Sequence, residues 1–222
     1  MNLGTLIRAE FIERLNRFVC SVNLRGTQTK VLLRNTGRLA ELLKPGAEVF
    51  LREKNSGKYS YELVLVRYNG ELVCVDSHLP PKLLVEYLKK TSYPWEMKEC
   101  KQEFSMGGSR FDLLLNNKVL IETKSVNLVR DRVAVFPDAP TKRGLKHIME
   151  LSKTYPKYEP AVVFVIQRAD ADKFSPNWDT DPKFSKALLD FYRQGFKVFA
   201  FLCKVSTNDI HISREIPLLL ES

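Results

Sequence analysis

The feature that most constrains the fold is a change in the spacing of apolar segments at Pro80-Pro81. Before this point, short segments rich in β-branched and aromatic residues alternate with turn residues such as Pro45-Gly46 and Asn69-Gly70, which is typical of closely spaced strands. After it, strand-length apolar segments alternate with longer amphipathic segments of helix length. The 222-residue chain therefore predicts two domains, over residues 1–80 and 81–222.

The first part of the chain predicts a small β-barrel. Its five strand-like segments are "RFVCSVNL", "TKVLLRN", "AEVFLRE", "YSYELVLVRY" and "ELVCVDS". A helix is predicted in "NTGRLAELL", because Asn35 or Thr36 could cap it and its leucines form one apolar face. This set favours an OB-like barrel, a fold often used for single-stranded nucleic acid, with an SH3-like barrel as the alternative. Tyr59, Tyr61 and Tyr68 either pack in the barrel or stack bases.

The second part predicts a layered α/β domain. Its helix-like and strand-like segments follow the order α-β-β-β-α-β-α-β, beginning with a helix in "PPKLLVEYLKK". The segment "AVVFVIQ" is apolar on both faces, as expected for a strand that helices cover on both sides. The fold class is therefore a two-domain α+β protein, with a barrel followed by an α/β domain that has a mixed sheet.

Charge and cysteine content limit the partners and the compartment. The formal net charge of +9 favours a polyanionic partner, with nucleic acid first, although a basic surface also serves solubility alone. No apolar run is long enough for a membrane span, and charged residues interrupt the first fifteen positions, so a soluble cytoplasmic protein with no membrane partner is expected. The four widely spaced cysteines favour reduced, buried thiols over a zinc cluster.

A hairpin in "RFDLLLNNKVLIETKS" carries charged residues in strands that are otherwise apolar. A two-residue turn would place Asp112 and Glu122 on opposite sides of the sheet. A three-residue loop, or an equivalent bulge, sets Asp112 opposite Glu122 and gathers Phe111 with the other apolar residues on one face. We therefore predict the odd loop, with Asp112, Glu122 and Lys124 on a shared face.

Two opposed carboxylates repel each other, so the arrangement is stable mainly with a cation between them. Their hard oxygen atoms favour Mg²⁺ or Mn²⁺. Lys124 would then orient a water or stabilise charge on a phosphate. The alternative is that Lys124 only forms a salt bridge with Glu122 or Asp112.

The chain resembles the sugar fermentation stimulation protein (SfsA) family in "NTGRL", "HLP", "SRFDLLL", "IETKSV", "FPDAPTKRGLKH" and "VIQRADA". The resemblance implies an N-terminal OB-fold domain, then a restriction-endonuclease-like domain of the PD-(D/E)XK nuclease superfamily, and DNA binding. It also implies that Asp112 matches the first acid of that superfamily and that Glu122 and Lys124 match its (D/E)xK pair. Phe111 stands where the motif has proline, a departure that does not affect the ligands.

Further site residues follow from this resemblance. Glu103 in "CKQEF" is predicted as an additional metal ligand, or else as a solvent-facing strand residue. Gln167 ends a buried strand, and because a glutamine near this place assists related nucleases, it is predicted to be catalytic. Asp138 in "FPDAPT" either fixes a turn or touches the site. His147 is expected to be a helix surface or core residue and not a catalytic base.

Three cations, Lys142, Arg143 and Lys146, cluster at the start of a predicted helix. Because cations there oppose the helix dipole, they are predicted to contact nucleic-acid phosphates. The chain as a whole predicts a DNA-binding protein with a Mg²⁺- or Mn²⁺-dependent nuclease centre. The alternatives are a non-catalytic DNA-binding regulator of sugar (maltose) metabolism genes and an RNA-binding module. The sequence leaves open DNA or RNA, the strand type, and monomer or homodimer.

Overall fold

The computed structural model describes residues 1–221. None of the helices within that range combines the length and the apolar character that crossing a bilayer requires. The helices are α1 (Pro80–Thr91), α2 (Lys142–Ser152) and α3 (Pro182–Arg193). The strands are β1 (Leu6–Asn16), β2 (Val19–Leu24), β3 (Thr27–Leu33), β4 (Glu48–Glu53), β5 (Tyr61–Tyr68), β6 (Glu71–Cys74), β7 (Cys100–Met106), β8 (Ser109–Leu115), β9 (Val119–Val126), β10 (Val129–Arg130), β11 (Val133–Phe136), β12 (Glu159–Ile166), β13 (Lys173–Pro176), β14 (Lys197–Val205) and β15 (Ile210–Glu215).

The first part of the chain forms a closed five-stranded barrel, which confirms the predicted OB-like architecture. Strand β1 pairs with both β2 and β4, and a short pairing of Leu32 and Leu33 with β5 closes the barrel. The five predicted segments correspond to β2–β6, so β1 was not predicted. Strand β6 pairs with β5 in an antiparallel hairpin and is not one of the five strands that close the barrel. Strand β1 alternates buried Ala9 and Phe11 with charged residues, as a strand with one solvated face does.

The helix predicted in "NTGRLAELL" is wrong, because tertiary hydrogen bonds hold this loop in another conformation. Leu39 has a φ of +52°, which ends any helix, and its backbone N–H donates to Asp138 Oδ2 at 3.1 Å. The guanidinium of Arg14 donates hydrogen bonds to the backbone carbonyls of Asn35 and Gly37, at 2.9 and 2.5 Å. A Cβ at Gly37 would lie 2.5 Å from Asp138 Oδ2, so the close approach of these two loops requires glycine.

The second part of the chain is built on a six-stranded sheet in the order β15-β14-β12-β9-β8-β7. Strands β9, β12 and β14 are parallel and the others antiparallel, which confirms the mixed sheet. One face packs on α1 and on barrel residues such as Phe50 and Val64, and the other packs on α2 and α3. A small sheet of β10, β11 and β13 and the last strand, β15, were not predicted.

Candidate metal and active site

The β8–β9 hairpin turns through a three-residue loop, which confirms the predicted odd loop. Leu115 pairs with Val119 and Leu113 with Ile121. Asn116, at the start of the loop, has a φ of +52°, a left-handed conformation that asparagine tolerates better than most residues. Its side-chain oxygen also accepts hydrogen bonds from the backbone N–H groups of residues 98 and 99, so the hairpin end is anchored.

Strand β8 separates from β9 where Asp112 would come opposite Glu122. The ladder ends at Leu113 and Ile121, and Asp112 Oδ2 instead accepts hydrogen bonds from the Thr123 backbone N–H at 2.7 Å and Oγ1 at 2.6 Å. On the side of β9 that faces β8, the side chain of Asp112 therefore replaces a backbone carbonyl as the acceptor for the Thr123 N–H.

The separation also changes the face of the preceding residue. Phe111 was expected beside Leu113 on one apolar face, but it packs on the α2 and α3 side, with its ring 6.1 Å from that of His147. Strand β7 is distorted at the same level, because Glu103, opposite Asp112, has a φ of +53°. Asp112 thus lies where β8 has separated from β9, although β8 still pairs with β7 through Phe111.

Glu122 is 4% exposed, and only one of its two carboxylate oxygens is hydrogen-bonded. Its Oε1 accepts hydrogen bonds from Lys124 Nζ at 2.5 Å and from His147 Nδ1 at 2.6 Å. Its Oε2 is buried and has no hydrogen-bond partner among the described residues. A buried carboxylate oxygen normally has a hydrogen-bond partner, so Oε2 is available to bind a water or an ion.

The surroundings of the two carboxyl groups move their pKa values apart. Burial opposes ionisation of Glu122, but the charge of Lys124 and the hydrogen bonds from His147 and Lys124 outweigh it and lower its pKa. Burial and then the charge of Glu122 raise the pKa of Asp112, although Thr123 and Lys124 act in the opposite direction. Ionising both groups together is therefore unfavourable unless a cation lies near them.

Glu103 does not join this pair. Its side chain is 71% exposed and lies 3.6 Å from the guanidinium of Arg110. Within residues 1–221, no cluster of three or more His, Cys, Asp or Glu side chains is arranged to hold a metal ion. The carboxylates that could contribute to a cation site are therefore Asp112 and Glu122, since Mg²⁺ is commonly held by one or two carboxylates together with water.

Gln167 is on the other face of the sheet from Glu122 and Lys124. It follows Ile166, which packs against α2 and α3, so the alternation along the strand sends its side chain to the barrel side. There its Nε2 donates to the carbonyl of Asp76 at 3.0 Å, and its Oε1 accepts from Ser125. Gln167 is fully buried and connects the two domains.

Helix α2 carries the three predicted cations and one residue that contacts Glu122. Lys142 and Arg143 are exposed at its first turn, whereas Lys146 lies 3.5 Å from Glu150 in an ion pair. His147, the residue that sequence reasoning set aside, is 7% exposed and contacts Glu122 directly. A histidine in the buried stripe of Gly144, His147, Ile148 and Leu151 must find a polar partner, and this pattern could have identified it.

Comparisons with known proteins match both parts of the chain. The model described as "SfsA N-terminal OB domain" matches residues 12–75, and the model described as "Sugar fermentation stimulation protein RE domain" matches residues 78–209. A relative in Aquifex aeolicus (strain VF5), named sugar fermentation stimulation protein homolog, is 49% identical over 96% of this chain and 97% of its own length. A relative of the same name in Natranaerobius thermophilus is 40% identical over 97% of this chain and 95% of its own length.

A solved structure is similar over nearly the whole chain. It is described as Pyrococcus furiosus SfsA in complex with Ca²⁺, and it matches with a TM-score of 0.90 and 29% identity. The match covers 99% of this chain and 98% of that one, so it includes the barrel, the mixed sheet and the region of Asp112 and Glu122.

Proposed function

This chain belongs to the sugar fermentation stimulation protein family. We propose that its second domain is related to the PD-(D/E)XK nucleases and hydrolyses phosphodiester bonds in DNA with a divalent cation. The observation that carries the proposal is the buried, unpartnered Oε2 of Glu122 beside the raised-pKa carboxyl of Asp112. Two such groups are the hard oxygen ligands that Mg²⁺ and Mn²⁺ prefer.

The donor set fits a divalent ion, which Asp112 and Glu122 would hold. The Pyrococcus furiosus relative was solved in complex with Ca²⁺, a hard cation that also takes oxygen ligands, and this supports a cation site here as well. When bound, Mg²⁺ or Mn²⁺ supplies an electrophilic centre that acidifies water and stabilises negative charge on a phosphate.

The side chains around the pair have distinct tasks in this proposal. Thr123 fixes Asp112 through two hydrogen bonds to Oδ2. Lys124 and His147 both hold Oε1 of Glu122, which leaves Oε2 as its free oxygen. Lys124 also carries the positive charge nearest to the pair, where it orients the attacking water or stabilises charge on the phosphate.

DNA would approach over the start of α2. Lys142 and Arg143 are exposed there and have no carboxylate within 4.0 Å among the described residues, so both are free to bind phosphates. Arg143 lies one helical turn before His147, on the same face of α2, which places it toward Glu122.

The proposal is tested by incubating the pure protein with end-labelled single- and double-stranded DNA and RNA in Mg²⁺, Mn²⁺ or EDTA. We expect cleavage of DNA with either metal, no cleavage in EDTA, and no cleavage by Glu122→Gln, which keeps the shape of the side chain without its charge. Binding without cleavage in every condition would instead support the non-catalytic regulator of sugar metabolism genes. Cleavage of RNA alone would reassign the substrate.

His147 is expected to act as a positioning residue for Glu122. His147→Phe keeps an aromatic ring against Phe111 but removes the Nδ1–H donor, and we expect it to lower Mn²⁺ affinity and cleavage by roughly 10- to 100-fold. His147→Asn places an amide N–H near the position of Nδ1 and should restore most of both. Calorimetric titration with Mn²⁺ and single-turnover cleavage measure the effects.

The matched control is His211→Phe, because His211 is a surface residue, 46% exposed, that pairs with Asp209. It should leave Mn²⁺ affinity and cleavage unchanged. Equal losses in His147→Phe and His147→Asn would show that packing, and not the hydrogen bond to Glu122, is what this position provides.

A further inference from the structure

The turn between β1 and β2 exposes an unusual pair of apolar side chains. Among the large apolar residues of the barrel in the described part of the chain, only Leu15 and Phe18 are strongly exposed, at 40% and 51%. The three tyrosines considered from the sequence differ from them: all are partly buried, and Tyr68 lies under the guanidinium of Arg168, 5.4 Å away. Leu15 and Phe18 are three residues apart in the chain, and exposed apolar surface bordered by charged residues is a feature of binding sites.

Hydrogen bonds join this turn to the loop at residues 35–39. Arg14 is the link, because its guanidinium donates to backbone carbonyls on both sides. These carbonyls belong to Arg17 at 2.8 Å, Asn35 at 2.9 Å, Gly37 at 2.5 Å and Arg38 at 2.9 Å. The backbone that carries Phe18 is therefore fixed by hydrogen bonds, so ligand binding would cost little conformational entropy there.

Two cations lie in these segments: Arg17 directly precedes Phe18 in the chain, and Arg38 is in the loop that Arg14 holds. Arg17 and Arg38 are exposed, and neither has a carboxylate within 4.0 Å among residues 1–221. Arg8 and Arg67, elsewhere on the barrel surface, are both paired with Glu48. The barrel tip, by which we mean Leu15, Arg17, Phe18 and Arg38, thus combines an open aromatic face with uncompensated positive charge.

The barrel tip is connected to the candidate active site through direct contacts. The loop that Arg14 holds donates from Leu39 N–H to Asp138, and Asp138 lies in the segment that leads into α2. That segment ends at Thr141, which caps α2 just before Lys142 and Arg143. The cations of the tip and of α2 therefore lie on elements that are hydrogen-bonded to one another and lead to His147 and Glu122.

We propose that the barrel tip binds single-stranded DNA, with a base stacked on Phe18 and phosphates on Arg17 and Arg38, and directs the strand toward Glu122. The inference rests on the proposed function for the class of ligand and adds the strand type and the residues. An unpaired base presents a free π-face to an aromatic side chain, whereas duplex bases are already stacked on each other. The loop between the first two strands is also a region that OB barrels use for oligonucleotides.

The test measures fluorescence anisotropy of labelled oligothymidine of about 15 nucleotides and of a duplex of equal length, both in EDTA at low salt. Phe18→Leu keeps an apolar side chain but removes the ring, and we expect it to weaken oligothymidine binding by roughly five- to a hundredfold. Phe18→Trp should bind as tightly as the wild type. Tyr192→Leu is the matched control, because Tyr192 is 49% exposed on α3, away from the barrel tip, and it should change nothing.

The outcomes separate this inference from the proposed function. If the wild type binds neither DNA, the inference about the barrel tip is overturned, and the nuclease proposal is decided by the cleavage test alone. If it binds DNA but Phe18→Leu binds oligothymidine as the wild type does, or loses duplex binding to the same degree, the inference about the barrel tip is overturned and the nuclease proposal stands. A selective loss of oligothymidine binding in Phe18→Leu that Phe18→Trp does not share supports the inference.

Discussion

Asp112→Asn is expected to abolish the rise in melting temperature that Mg²⁺ or Mn²⁺ gives to the wild type. At a metal concentration about 100 times its Kd, binding to the folded state alone adds about 2.7 kcal/mol, which corresponds to roughly 5–10 °C for a chain of this size. The asparagine can still accept hydrogen bonds from Thr123, so the fold is kept while one charged ligand is lost. Differential scanning calorimetry with metal and with EDTA measures the shift.

The pH dependence of this shift follows from the raised pKa of Asp112, which burial and the charge of Glu122 cause. Protons compete with the metal for Asp112, so the metal-dependent rise should shrink as pH falls through that raised pKa. In EDTA, the ionised aspartate destabilises the fold as pH rises through the same value. Asp112→Asn removes this cost, so the variant should melt at or above the wild-type temperature in EDTA at alkaline pH.

Glu103→Gln is the control, because Glu103 was predicted as a third ligand but is 71% exposed. It should keep the full metal-dependent rise in melting temperature. A normal rise in Asp112→Asn, or its loss in Glu103→Gln, would mean that the metal binds elsewhere than between Asp112 and Glu122.

In the β8–β9 hairpin, the alternation of apolar residues predicts the loop correctly but not the face of every residue. The three-residue loop and its register follow from the apolar residues around Leu113 and Ile121, since only one register buries them together. The same pattern failed two residues beyond the ladder, at Phe111. Phe111 changes face because the side chain of Asp112, and not its backbone, bonds to β9, and a rule based on regular alternation does not foresee such a break.

Tertiary contacts account for the other differences between prediction and structure. The helix in "NTGRLAELL" has a good local pattern, but Arg14 and Asp138 bind the backbone of this loop from other parts of the chain. Gln167 was assigned by analogy with related nucleases, whereas the alternation along β12 already directs it to the opposite face from Glu122. Its amide instead joins the two domains, through hydrogen bonds with Asp76 and Ser125.

For Lys124, a role in binding and a role in chemistry are hard to separate, because its ammonium pairs with Oε1 of Glu122, the residue whose Oε2 is free. Lys124→Met removes the charge but keeps most of the apolar stem. If the ammonium acts on the water or the phosphate, we expect single-turnover cleavage to fall roughly 10²- to 10⁴-fold, while DNA affinity changes little among 35 Lys and Arg residues. The rise in melting temperature with Mg²⁺ should persist, since both carboxylates remain.

A purely neutralising lysine predicts a different set of results. Loss of its charge would then leave Asp112 and Glu122 less compensated, so Lys124→Met would be less stable in EDTA without a specific loss of cleavage, and Lys124→Arg would restore the stability. If the lysine acts in the chemistry, Lys124→Arg should restore stability but only part of the cleavage, because the guanidinium places its donors differently. Lys118→Met, which removes an exposed lysine paired with Glu159, controls for the loss of charge. Cleavage at the wild-type rate in a destabilised Lys124→Met protein would assign this residue to the salt bridge alone.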